Sequence, residues 1–473
     1  MRDAKPALHS GAWSTRALPK RVWPWVAGMA LVLVLGGGNW TIPLPRLLAQ
    51  LVGVAMLVAA LALPVAAQGE DAADRLTTVD RLVLALLALF ALHMVPLPPW
   101  LWSALPGREL AALADRQVFG APLWRPLSID PSATLDSLLM LLPALAVYCA
   151  ARRGGEERRR ALLAGTLLAL GAAIATGLLQ LGLPDGALQF YPRGDYANPV
   201  GFFTNRNHQA TFLLMALPLA VLLLDGGRRA PGGGRGGLPV LFVLALGVAI
   251  AALVTGSRSG AALLPVALVA TALGWLGTEP GRDTAGPGLR RLWLAVAMLV
   301  AIALGLGLLA ASGADSLSAV LRRGEVAEDQ RFDFWPLVAG AGAAFWPMGS
   351  GIGTFLEGYE MHEPLSAVAP LYLNHAHNDY LEIFLEAGIP GLILALVAIA
   401  ELAALGWRAW RRGEPVAARP ARLAAVALLL PVLHSLVDYP LRTISITCLF
   451  ALAAALLARA RDDKEILQCN QPG

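Results

Sequence analysis

Long apolar runs alternate with short polar segments along most of the chain. Many of these runs reach about 17 to 25 residues, the length that a helix needs to cross about 30 Å of hydrocarbon at about 1.5 Å per residue. The pattern predicts an all-α polytopic membrane protein with about twelve transmembrane helices. The predicted spans cover residues 23–38, 47–67, 82–97, 135–151, 160–182, 208–225, 238–255, 261–277, 292–311, 390–407, 422–438 and 443–459.

The composition agrees with this pattern. The chain has 473 residues, of which 57% are hydrophobic and 15% charged, and its mean hydropathy is +0.60. Soluble domains are about half apolar and about a quarter charged, so a soluble fold is excluded. The cysteines Cys149, Cys448 and Cys469 lie in or near predicted spans or in the C-terminal tail, so they indicate neither a disulfide framework nor a thiolate metal site.

The positive charges indicate the orientation of the chain. When alternate loops are assigned to opposite sides, about 26 of the 37 Lys and Arg residues lie on the side of the N-terminal tail. Cytoplasmic loops are rich in Lys and Arg, so both termini are predicted to be cytoplasmic. Topology and anionic membrane lipids then account for the net charge of +4, and no nucleic-acid partner is expected.

This orientation divides the chain into cytoplasmic, membrane and external parts. The first span follows a basic stretch but lacks a small-x-small cleavage pattern, so a retained signal anchor is expected. External loops are predicted at 98–134, 183–207 and 312–389. The predicted division is a cytoplasmic tail at 1–22, helices 1 to 9 at 23–311, an external loop at 312–389, helices 10 to 12 at 390–460 and a cytoplasmic tail at 461–473.

The segment from Asn374 to Glu382 concentrates ionisable and amide groups just before an apolar helix. In an extended stretch, His375 and His377 would point the same way. Asp379 and Glu382 have the spacing of a capping box, which favours helix capping over catalysis for these two carboxylates. The histidines are therefore expected at the start of a short helix at the membrane surface.

Three roles are open for this histidine pair. A zinc site needs a third ligand and usually a fourth, and the sequence contains no CxxC or HExxH. A general base needs only one well-placed imidazole, so this role is preferred for His377 or His375. The third alternative is a purely structural pair.

Three arginines lie at the external boundary of predicted spans: Arg206, Arg258 and Arg331. Arginine next to hydrocarbon usually faces a protein interior or a polar cavity. Arg258 lies in the tight connection Gly256 to Gly260, which is expected to leave it little room to reach bulk water. Snorkelling to headgroup phosphates is the alternative for each. Converging guanidinium groups would suit a diphosphate, whose oxygens accept paired hydrogen bonds.

Two glycine-containing segments flank the histidines. The run Gly349 to Thr354 could present backbone amides to a phosphate, but a plain turn is favoured because no Walker lysine follows. Gly388 to Gly391 is predicted to break the helix, with Pro390 in the first turn of the next one.

The order of these motifs resembles that of a known family. A Gly-Phe-Phe-Thr-Asn-Arg-Asn-His segment opens a span, a Gly-Ser-Arg-Ser-Gly turn and an Arg-x-x-x-Trp segment follow, and a long loop ends in His-Ala-His-Asn-Asp-Tyr-Leu-Glu before Gly-Ile-Pro-Gly. With the closing segment His434 to Pro440, this order resembles the O-antigen ligase and polymerase superfamily of bacterial membrane glycan transferases over residues 160–440.

The resemblance implies a GT-C-like enzyme in the bacterial inner membrane. Such proteins move a glycan from an undecaprenyl diphosphate carrier to an acceptor hydroxyl on the periplasmic side, without a nucleotide, metal or other cofactor. Carried over by motif, His377 would be the acceptor-activating base with His375 as the alternative, and Arg258, Arg206 and Arg331 would hold the diphosphate. Asn378 would orient the acceptor or cap a helix.

The expected reaction is an inverting transfer to lipid A core or to a growing polysaccharide. A polysaccharide polymerase and a protein O-oligosaccharyltransferase are alternatives within the superfamily. A lipid-glycan transporter and a structural scaffold are alternatives from other classes. Transporters usually place polar groups near the bilayer midplane, whereas the polar residues here gather at one surface.

Overall fold

The computed structural model describes residues 18–38, 43–63, 76–184, 186–191, 198–225, 237–276, 331–368, 373–411 and 415–469. In these ranges the chain is almost entirely helical, with one antiparallel pair of two-residue strands. The strands are β1 (Pro96–Leu97) and β2 (Arg125–Pro126). The helices are α1 (Trp23–Leu35), α2 (Pro43–Ala62), α3 (Thr78–Met94), α4 (Pro99–Trp102), α5 (Glu109–Phe119), α6 (Pro131–Arg153), α7 (Glu156–Gly182), α8 (Arg206–Asp225), α9 (Gly237–Val254), α10 (Arg258–Leu276), α11 (Arg331–Ala344), α12 (Phe355–Glu360), α13 (Asp379–Arg411), α14 (Pro415–His434) and α15 (Ile444–Cys469).

Six helices in the described ranges are long and apolar enough to cross a membrane: α2, α6, α7, α8, α10 and α13. Stretches of α9 and α15 are apolar but shorter. Every predicted span overlaps a helix in its described residues except 292–311, which lies outside them. The all-α membrane architecture is therefore found, while the total of about twelve spans stays a prediction.

Helix α8 lies at the centre of the bundle, because 83% of its apolar window is buried inside the protein, against 22% for α2. It packs against α7, α9, α10 and α14. Helices α2 and α6 pack closely at Gly53, where an added Cβ would lie 2.7 Å from the Cα of Pro143. Helix α8 is thus enclosed by other helices of the bundle.

Two of the three segments predicted as external loops, 98–134 and the described part of 312–389, are partly helical and pack together. Arg108, between α4 and α5, is buried and donates to the carbonyls of Leu127 at 2.6 Å and Gly349 at 2.9 Å. The amide of Ile129 donates to the Ser350 carbonyl at 2.8 Å. Burial lowers the pKa of Arg108 to about 10. The segment 98–134 therefore supports the turn that precedes α12.

The glycine-containing turn has no amides to spare for a phosphate. The N–H groups of Ser350 and Gly351 donate to the carbonyls of Leu385 and Glu386, at 2.9 and 2.8 Å. The N–H of Ile352 donates to Nδ1 of His93 at 3.1 Å. The turn is structural, as predicted from the absence of a Walker lysine.

Helix α13 begins and bends at positions that the sequence marks. Gly388 has φ +57° and ψ −149°, so the predicted break is confirmed. The prediction that Asp379 and Glu382 form a capping box is wrong. Asn378 caps the helix instead, because its Oδ1 accepts from the amides of Tyr380 at 3.0 Å and Leu381 at 3.1 Å.

Candidate functional site

A polar cluster forms where the first turns of α8, α10 and α13 meet the chain between α14 and α15. A row of hydrogen bonds crosses this junction. Ser257 donates from Oγ to Oδ1 of Asn207 at 2.8 Å, and Asn207 donates from Nδ2 to Oδ2 of Asp438 at 2.6 Å. His377 Nδ1 lies 3.1 Å from Oδ1 of the same carboxylate. Three motifs distant in sequence thus meet at Asp438.

The state of Asp438 fixes the tautomer of its histidine partner. Burial alone would raise the pKa of the Asp438 carboxyl, but the hydrogen bond from His377 and the nearby His208 hold this pKa below its ordinary value. The group is therefore a carboxylate, which can only accept hydrogen bonds. Nδ1 of His377 must carry a proton, and in the neutral ring Nε2 is left as a proton acceptor.

The backbone of His377 has an uncommon conformation. Its φ is +48°, in the left-handed region that non-glycine residues rarely adopt. The stretch is consequently not extended, and the prediction that His375 and His377 point the same way is wrong. His375 Nδ1 donates to Oε1 of Glu382 at 2.7 Å, while His377 turns to Asp438. Such backbone strain tends to occur at functional sites.

Tyr439 lies among three histidine rings. Its ring centroid is 4.1 Å from that of His375, 5.0 Å from that of His377 and 4.8 Å from that of His208. Burial raises the pKa of the Tyr439 phenol above its ordinary value. The phenol therefore stays neutral and separates the two histidines of the His-x-His segment.

A second charged cluster surrounds Arg442. Its NH1 donates to Glu386 Oε2 at 2.7 Å, and its Nε lies 3.5 Å from oxygens of both Asp379 and Glu382. Burial alone would lower the pKa of Arg442, but Glu382, Glu386 and Asp379 raise it above its ordinary value. The buried carboxylates at the start of α13 are thus held by one guanidinium and are not exposed helix caps.

The Arg442 cluster, Tyr439 and His375 border a cavity of about 1040 Å³, whereas Ser257, Asn207, His377 and Asp438 are not among its lining residues. One end is polar and is lined by Arg206, Asn374, His375, Tyr439 and Arg442. The rest is mostly apolar and follows α3, α6, α13 and α15. Its apolar lining includes Leu82, Val83, Leu86, Leu89, Phe90, Met140, Leu141, Ala144, Leu394, Ala398, Leu402, Phe450 and Ala454.

The three predicted arginines have different environments. Arg206 is half-buried at the first position of α8 and lines the polar end of the cavity. Arg258 begins α10, next to Ser257 of the hydrogen-bonded row, and its side chain is exposed. The expectation that Arg258 has little room to reach water is wrong, because the turn ends at Ser257 and α10 starts with this residue. Arg331 is the first residue of α11, and its side chain lies outside the described part.

The predicted histidines and Asn378 are brought together with residues that the sequence interpretation did not assign. Asn378 donates from Nδ2 to the Leu436 carbonyl at 3.0 Å, which ties the His-x-His segment to the chain after α14. Asp438 and Arg442 were missed, although a charged residue between two apolar spans is itself a signal. Within the described residues, no group of three or more His, Cys, Asp or Glu side chains is placed to hold a metal ion.

Fold and site define a polytopic membrane protein with a His-carboxylate cluster at the polar end of a largely apolar cavity. Residues 240–396 match the family model described as O-antigen ligase. The resemblance drawn from the motif order is therefore confirmed for residues 240–396, about a third of the chain, which match the O-antigen ligase family. The matched residues include His375 and His377 but not Arg206, Asp438 or Arg442. A search of curated proteins finds no match to the chain.

Proposed function

We propose that the protein transfers a glycan from undecaprenyl diphosphate to an acceptor hydroxyl on the periplasmic side of the bacterial inner membrane. The acceptor is lipid A core or a growing polysaccharide, so the product belongs to the cell envelope. The observation that carries this proposal is the hydrogen-bonded pair of His377 and Asp438 next to Tyr439, whose side chain lines a cavity with a charged cluster at one end and mostly apolar walls. Such a cavity suits a substrate with a charged head and a long hydrocarbon tail.

The reaction needs one proton acceptor and a stabilised leaving group. The acceptor oxygen attacks the anomeric carbon as its proton passes to Nε2 of His377. The bond between that carbon and the diphosphate oxygen breaks, and the lipid diphosphate leaves with the electron pair. Arg206, which lines the polar end of the cavity, stabilises the charge that develops on it. We extend the same role to Arg258 and Arg331.

His377 is preferred to His375 as the general base because their carboxylate partners, Asp438 and Glu382, have different surroundings. Glu382, the partner of His375, also lies 3.5 Å from Arg442, which neutralises much of its charge. Asp438 accepts from Asn207, from the Tyr439 amide and from His377. These partners leave its negative charge to stabilise an imidazolium. His375 remains the second candidate, since it lines the cavity directly.

A transporter would be expected to place its binding groups at mid-depth, often at interrupted helices. Here the kink at Gly388 is followed by an apolar stretch, and most of the residues of α3, α6 and α15 that line the cavity are apolar. This distribution favours a lipid tail over an anion path.

The test is reconstitution of the full chain in liposomes with undecaprenyl diphosphate-linked glycan. Lipid A core, a polysaccharide chain and a protein are offered as acceptors. We expect His377→Ala to lower the transfer rate by about 10² to 10⁴, the usual contribution of a general base. His375→Ala is the matched variant and should lower it far less.

Three results would revise the proposal. Loss of transfer in His375→Ala alone would move the base to His375. Full activity in both variants would contradict a histidine base. Carrier movement across the bilayer, with no product on any acceptor, would favour a transporter.

A further inference from the structure

The cavity has a second polar wall, formed by Arg46, Asp136, Ser137 and Glu357, of which only Glu357 belongs to the family-matched residues 240–396. Arg46 of α2 donates from NH1 to Oδ2 of Asp136 on α6 at 2.8 Å, and both side chains line the cavity. Ser137, the next residue of α6, and Glu357 of α12 also line it. None of these residues is the proposed base or one of the predicted diphosphate ligands.

This wall has unused hydrogen-bonding capacity. The Asp136 side chain is 40% exposed, and in the described part of the chain its only bond is the one from Arg46. The guanidinium of Arg46 likewise bonds only Asp136 among the described residues, and the Glu357 carboxylate accepts only from its own backbone amide. A pair that served only to join α2 to α6 would not need open acceptors and donors along a cavity.

The wall lies close to the charged cluster at the start of α13. A Cβ added to Gly353 would be 2.1 Å from Oγ of Ser137, so this glycine contacts α6 directly. The Gly353 amide donates to Glu386, and Glu386 accepts from Arg442 at 2.7 Å. A substrate held at Arg206 and Arg442 would therefore have the second wall within reach.

The charges of the wall indicate what it would bind. Arg46 contributes one positive charge, whereas Asp136 and Glu357 contribute two negative ones, so the wall repels a diphosphate. Hydrocarbon would leave the remaining donors and acceptors of these groups unsatisfied, which is costly. A sugar is neutral, and each of its hydroxyls can donate to a carboxylate and accept from a guanidinium.

We propose that Arg46, Asp136 and Glu357 form a subsite that binds the hydroxyl groups of the donor sugar attached to the diphosphate. This inference rests on the proposed function. It assigns donor-sugar recognition to α2, α6 and α12, and it separates this recognition from the diphosphate contacts on α8.

The test measures binding to the full-length protein in nanodiscs. The probes are bare undecaprenyl diphosphate and the same carrier bearing one N-acetylglucosamine or one N-acetylgalactosamine. The variants are the double change Arg46→Gln with Asp136→Asn, which keeps the pair neutral, and Glu357→Gln, which removes no described side-chain bond. Glu157→Gln is the control, because Glu157 pairs with Arg21 at an exposed position outside the cavity.

We expect both subsite variants to bind at least one sugar-bearing carrier about tenfold or more weakly, which matches the loss of a charged hydrogen bond. Binding of the bare carrier should be unchanged, and the control should behave as wild type. Equal weakening for bare and sugar-bearing carriers, or no weakening at all, would overturn the subsite while leaving the proposed function intact. A wild-type protein that binds neither kind of carrier would overturn both.

Discussion

Replacement of Asp438 by asparagine tests the hydrogen-bonded row with almost no change of volume. The carboxylate accepts on one side from His377 at 3.1 Å and from the Tyr439 amide at 3.0 Å, and on the other side from Asn207 at 2.6 Å. An amide has only one oxygen. Either His377 or Asn207 would therefore face an NH₂ group, and two donors would oppose each other.

The expected loss follows from these contacts. A hydrogen bond to a charged group contributes about 1.5–3 kcal/mol, which corresponds to about ten- to 150-fold in rate when it is lost in the transition state. We expect Asp438→Asn to lower kcat for glycan transfer by that factor with little change in KM, because the carboxylate acts through His377 and not on the donor. Asp438→Glu should restore part of the rate.

Asp115→Asn is the matched control, since Asp115 is also a buried aspartate that pairs with an arginine, Arg125, at 2.9 Å. It lies outside the site, so the variant should keep wild-type kcat. Wild-type kcat in Asp438→Asn would refute the reasoning. An equal loss in both variants would also refute it, because the effect would then reflect general destabilisation.

Three further outcomes are expected. Arg442→Leu leaves three buried carboxylates without their cation and should destabilise the protein by about 3–5 kcal/mol, measured as a lowered Tm in detergent; an unchanged Tm would contradict the charged cluster. Gly388→Ala should cost at least about 1–3 kcal/mol, because the residue has φ +57° and an added Cβ would lie 2.1 Å from the Pro347 carbonyl oxygen; a Tm equal to wild type would show that the kink tolerates a side chain. The hydrogen bonds from Arg125 and from the Leu123 amide lower the pKa of Asp115 to about 2 from 3.8, so its stabilisation is complete above about pH 4 and is lost as the pH falls towards 2. The protection factor of the Leu123 amide, its exchange rate relative to an unstructured peptide at the same pH, should fall over that window. A constant protection factor would contradict the pair.

Much of the fold could be predicted because membrane spans are long and locally encoded. The apolar runs near α6, α7 and α8 specify helices without any knowledge of their neighbours. The kink was predicted for the same reason, since Gly388 and Pro390 interrupt the helical pattern by themselves. The packing of 98–134 against the turn at Gly349 was not predictable, because it depends on a contact between Arg108 and a carbonyl 241 residues away.

The site was predicted less completely, for a physical reason. The family motifs mark His375 and His377, but their partners are set by tertiary contacts. Asp438 is 61 residues from His377 and 231 from Asn207. Because φ of His377 is positive, its side chain does not point in the direction that an extended strand would give. Asp379 and Glu382 matched a capping box in spacing, yet Asn378 takes the cap and Arg442 holds the carboxylates.

The central claim is that the proton acceptor and the lipid diphosphate share one site. The most direct measurement is a cryo-EM structure of the His377→Ala protein with undecaprenyl diphosphate-linked glycan bound. The account predicts diphosphate density at Arg206, isoprenoid density along α3 and α6, and the anomeric carbon beside the vacated His377 position. Carrier density on another face of the bundle, with this cavity filled by ordinary lipid or water, would contradict it.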